Sequence, residues 1–214
     1  MLDFRNQMVR LKWSSVGSYA MAAVKMGVAF FSFSIFLGIN ALYTVVVGIG
    51  KHQSVIGMMD KKKHGAQYYY KRIGGLIFLA SLLYLAYTFK LFFLNQTVRY
   101  TNISAITIAT ITFGEIGVSI YGIIKARKKN DLLMKAVKLL NLSSALVGLV
   151  LTQAAILSFA ETKPYNGYNA ISGFLFGGIT LGIGLWMMCE KRKEEPEHKP
   201  EPKPLTSQQQ HKSQ

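Results

Sequence analysis

Acidic residues are scarce in this 214-residue chain, ten against 25 lysines and arginines. Five of the ten fall in the last 25 residues, and before them stand only Asp3, Asp60, Glu115, Asp131 and Glu161. Charged residues make up 16% of the chain, where a soluble globular domain carries about 25%. The single cysteine, Cys189, excludes an internal disulfide. Four of the five prolines come after residue 190, so the rest of the chain contains almost no helix breaker. The four histidines, His52, His64, His198 and His211, lie between apolar stretches or in the tail. They offer no ligand spacing for a metal, and no cofactor is expected. A nucleophile elbow, an H-E-x-x-H pair and a Walker-type glycine loop are all missing. One intramembrane carboxylate is too few for an aspartyl-type intramembrane protease. Enzymatic activity is therefore not expected.

What the chain has in abundance is apolar length. Half its residues are hydrophobic, gathered into stretches of the ~20 residues that a helix needs to cross the ~30 Å hydrocarbon core. The predicted spans are 27–50, 73–94, 102–124, 137–160 and 169–189. Residues 1–24 mix Leu2, Phe4, Met8, Leu11 and Trp13 with Arg5, Arg10 and Lys12, the pattern of an amphipathic helix at the membrane surface rather than of a cleaved signal peptide. Residues 25–189 form the membrane domain. The segment 190–214 is charged and rich in Pro and Gln, has no apolar periodicity and reads as a disordered tail. The expected fold class is all-α: a polytopic integral membrane helical bundle of about five transmembrane helices.

A net charge of +15 and a pI near 9.9 would point to nucleic acid in a soluble domain. Here the basic residues fall between the apolar stretches, where they set orientation, so no nucleic-acid partner is expected. The connection 51–72 carries six lysines and arginines, 125–135 five and the tail six, whereas 95–101 and 161–168 carry one each. The rich segments belong in the cytoplasm, where 51–72 and 125–135 can meet anionic lipid headgroups. Five crossings then leave the N-terminus outside, against the pull of Arg5, Arg10, Lys12 and Lys25. A re-entrant hairpin in the first apolar region would remove the conflict, and the side of the N-terminus stays open.

Inside the spans the polar and small residues carry the information. Glu115 is the only acid well inside any of them, and a charge at the bilayer centre costs about 3 kcal/mol, so it needs a partner or a proton. Asn40 reaches a similar depth and can hydrogen-bond it. The third span sets Thr110, Gly114, Gly117 and Tyr121 on one face and Thr112, Glu115, Ser119 and Gly122 on the other. A helix polar on two sides is expected at the centre of the bundle. Glu115, Asn40 and Thr112 are the candidate intramembrane polar site. Gly173 with Gly177, and Gly178 with Gly182, form two G-x-x-x-G pairs of the kind that lets helix backbones approach closely. These pairs, with Gly114 and Gly117, are the candidate packing positions, within the chain or across a homo-oligomer.

ITIATITFGEIG, then KARKKNDLLMKAVKLLNLSSALVGLVLTQAAILSF, then NAISGFLFGGITLGIGLW resemble an uncharacterised multi-pass membrane family of Gram-positive bacteria over about residues 100–188. That resemblance implies a bacterial cell membrane and brings no activity or site. The functional expectation is an accessory or regulatory subunit of a membrane complex, with a membrane-protein partner or a second copy of itself. The alternative is a small proton- or cation-coupled transporter using Glu115.

Overall fold

Residues 2–31, 34–60, 65–93, 102–125, 131–160 and 166–190 are described by a computed structural model. They form six helices and no strand: α1 (Leu2–Phe31), α2 (Ile35–Met59), α3 (Ala66–Phe93), α4 (Asn102–Lys125), α5 (Leu132–Ala160) and α6 (Asn166–Cys189). Four are long and apolar enough to cross a bilayer, over Ile35–Met59, Ala66–Lys90, Leu132–Leu157 and Ala170–Cys189. The expected all-α membrane bundle is what the chain forms. Residues 191–214 lie outside the described residues.

The first boundary differs from expectation. The stretch 27–50 read as one span contains a turn, with α1 ending at Phe31 and α2 beginning at Ile35. Ser34 makes the corner. Its N–H donates to Ala29 O at 3.1 Å, and its Oγ accepts from Leu37 N at 3.3 Å, capping α2. The sequence between Phe31 and Ile35 contains no Gly or Pro, so hydropathy runs straight through it. Residues 1–24 are likewise no separate segment, because α1 continues unbroken from Leu2 and packs along α2.

Burial explains why α1 was misread. Its inward positions are Leu11, Ser15, Ser18, Ala22, Lys25 and Ala29, at alternating spacings of four and three that keep one face toward a neighbouring helix. Its outward positions include Val9, Trp13, Val16, Val24, Phe30 and Phe31. After its basic first turns the helix thus turns Ser15, Ser18 and Lys25 inward and large apolar side chains outward. Averaging along the chain mixes the two faces, and a mean-hydropathy criterion passes it over.

Helix α5 sits at the centre. It packs against α2, α3, α4 and α6 and is the most enclosed of the four apolar helices, 67% buried against 28% for α6. This corrects the expectation that the Glu115 helix would be central. Helix α4 packs mainly on α5: Thr112, Ile116 and Ser119 are buried there, while Thr110, Gly114, Gly117 and Tyr121 face outward. The small-residue stripe of α5 makes that contact, since a Cβ on Gly148 would stand 3.1 Å from Thr112 Cγ2.

The closest helix pair is α3 with α6, held by glycines. A Cβ on Gly74 would stand 2.6 Å from Met187 Cβ, and one on Gly184 2.6 Å from the Phe78 backbone N. Polar side chains join the helices further in: Ser81 Oγ donates to Thr180 Oγ1 at 3.0 Å, and Tyr43 Oη lies 3.5 Å from Ser81 Oγ. At the basic end Glu190 ties three helices. Lys135 Nζ reaches its Oε1 at 2.7 Å, Tyr70 Oη donates to its Oε2 at 2.7 Å, and Lys135 sits 4.3 Å from the Trp186 ring centre. The first residue assigned to the tail is thus part of the fold.

Candidate functional site

Two lysines lie inside the seam between α1 and α2. Lys25, 2% exposed, donates from Nζ to Asn40 Oδ1 at 2.8 Å and to Thr44 Oγ1 at 3.1 Å. Lys51 donates to Ser18 Oγ at 2.9 Å, and Ser15 Oγ donates to the Gly48 carbonyl at 3.0 Å. The antiparallel register puts these donors and acceptors opposite one another. It is also close, since a Cβ on Gly48 would stand 2.9 Å from the Tyr19 ring. Hydrogen bonds of this kind glue helices where lipid offers no hydrophobic drive for their association.

Of the residues expected to form a polar site, Asn40 belongs to this seam. Asn40 is buried and holds Lys25. Thr112 is fully buried, with its hydroxyl bonded back to the Ile108 carbonyl of its own helix at 2.7 Å. A narrow space between α1, α2, α4 and α5 brings together Lys25, Leu37, Ile108, Ile111 and Thr112. The Glu115 side chain lies outside the described residues; its backbone is one helical turn on from Ile111 in α4. Lys25 is what sequence reading missed. It was counted as a flanking charge, although its spacing from Ser15, Ser18 and Ala22 places it in phase with the small residues.

The glycine pairs separate into two kinds. Gly173 and Gly177 are consumed within the chain: a Cβ on Gly173 would stand 2.6 Å from Thr88 Cγ2, and one on Gly177 2.8 Å from Leu85 Cδ2. Gly178 and Gly182, and likewise Gly114 and Gly117, are exposed with open space where a Cβ would be.

Toward the basic end, a larger cavity of about 250 Å³ lies between α1, α2, α4 and α5. Its polar lining comes from Gln7, Arg10, Ser14, Lys51 and Asn141, and its apolar lining includes Leu11 and Val137. Among the described residues no acidic side chain lines it. Among the described residues no group of three His, Cys, Asp or Glu side chains is placed to hold a metal.

No protein-family model matches this chain, and neither does any curated protein or solved structure.

Proposed function

We propose that the chain is a multi-pass accessory subunit without catalytic activity, which associates sideways in the membrane with a partner protein or a second copy of itself. The observation that carries this reading is the uncovered pair Gly178 and Gly182 on α6. Each glycine inside a helix costs about 1 kcal/mol relative to alanine. Where this chain places glycines between α3 and α6, another helix lies against them. The same spacing on the open side offers equally close approach to a helix from outside. The test is co-purification from the native membrane. Leucine at both positions is expected to leave a folded monomer that has lost its partner, and unchanged association would defeat the proposal.

In this reading α1 is a further crossing. Thirty helical residues extend about 45 Å; beyond its basic first turns, Val16, Val24, Phe30 and Phe31 face outward, while Ser15, Ser18 and Lys25 are turned inward. Six crossings put Arg5, Arg10 and Lys12 on the same side as 51–72, 125–135 and the tail, so every basic segment agrees with a cytoplasmic placement in a cell membrane.

A second reading, the small proton- or cation-coupled transporter, is favoured by the buried Lys25, since ionisable groups inside membrane helices mark ion pathways. Its decisive measurement is flux in proteoliposomes. Loss of proton-linked flux on Glu115→Gln supports transport, and its persistence removes Glu115 from that role.

A further inference from the structure

We infer that the cavity between α1, α2, α4 and α5 is a binding site for the anionic headgroup of a phospholipid, entered from the leaflet on the side of the basic connections. Three observations converge on it. The first is charge: Arg10 and Lys51 line the cavity with no carboxylate among its described walls, and a phosphate oxygen is the natural acceptor for both. The second is Asn141. Its side chain is only 6% exposed and borders the cavity. Its amide beside two cations adds a further donor for a phosphate or glycerol oxygen.

The third observation is the shape of the opening. Helix α1 packs chiefly on α2, and α4 on α5, and the cavity between the two pairs opens as a slot. Val118 and Tyr121, on the α4 side of the slot, are 66% and 61% exposed. Leu11, Met134 and Val137 make the remaining wall apolar. Lys51 stands eight residues from the end of α2 and Asn141 nine from the start of α5, which is about 12–14 Å along each helix. A headgroup at that level, with an acyl chain leaving through the slot, satisfies both the polar and the apolar parts of the wall. A free inorganic phosphate would satisfy only the polar part.

The experiment uses the full chain in detergent, delipidated and then offered phosphatidylglycerol, phosphatidylcholine or inorganic phosphate, with bound species read by native mass spectrometry. Phosphatidylglycerol is expected to be retained in a one-to-one complex in preference to phosphatidylcholine. Arg10→Gln, at an exposed position where folding is not at stake, is expected to weaken retention about tenfold by removing one hydrogen bond to a charged group. Asn141→Leu, which fills the cavity, is expected to abolish it, with size-exclusion behaviour confirming that the variant is folded. Equal retention of the two lipids overturns the inference. So does retention unaffected by Arg10→Gln, or inorganic phosphate displacing the lipid as well as an anionic lipid does.

Discussion

Lys25 Nζ stands 2.8 Å from Asn40 Oδ1, across the seam that joins the first two helices. The ammonium is almost completely shielded, so removing Asn40 costs it one of its hydrogen bonds in an apolar setting while Thr44 Oγ1 still accepts from it. Asn40→Leu is expected to destabilise the protein by about 1.5–3 kcal/mol, the range for hydrogen bonds to charged groups. Lys25→Met combined with Asn40→Leu is expected to recover most of that loss, because both partners are then apolar. Unfolding of these two variants and of Lys25→Met alone in detergent measures the cycle. Strict additivity would show that the pair does not couple.

Glycine positions on α6 are expected to respond in opposite directions. Gly184→Ala places a methyl 2.6 Å from the Phe78 backbone N, which cannot yield as a flexible side chain would. Forcing α3 and α6 apart is expected to cost about 1–3 kcal/mol. Gly182→Ala meets open space and gains helix propensity, up to about 1 kcal/mol in the isolated chain. Thermal unfolding of the purified monomer distinguishes them, and equal effects would contradict the α3–α6 packing.

The Glu190 clasp is expected to matter more as a hub than as an ion pair. Lys135 is 34% exposed at the side chain, so Glu190→Gln is expected to cost less than about 1 kcal/mol. A chain ended after Cys189 also loses the acceptors of Tyr70 and Gln67 and is expected to be less stable than one ended after Glu190. Comparing the midpoints of the two truncations checks this.

Six crossings predict that the two termini share a side. With Cys189 replaced by serine, cysteines introduced at Asn6 and Ser213 are expected to react with a membrane-impermeant maleimide from the same face of sealed vesicles. Labelling from opposite faces would return α1 to the membrane surface.

The sequence by itself determined the all-α class and the apolar helices, because apolar length and missing charge act locally and leave their mark residue by residue. It also located Asn40 and Thr112 as buried polar residues and Gly173 and Gly177 as packing positions. Tertiary structure decided the rest. The corner at Ser34 is a capping geometry inside an apolar run, invisible to hydropathy. Helix α1 mixes an apolar outside with a polar inside, and only a partner helix shows which face is which. Composition placed the Glu115 helix at the centre, yet α5 took that position, because polarity marks a need for contact without saying how many neighbours meet it. The two glycine pairs on α6 are identical in spacing, and only the position of α3 separates the pair spent within the chain from the pair left open.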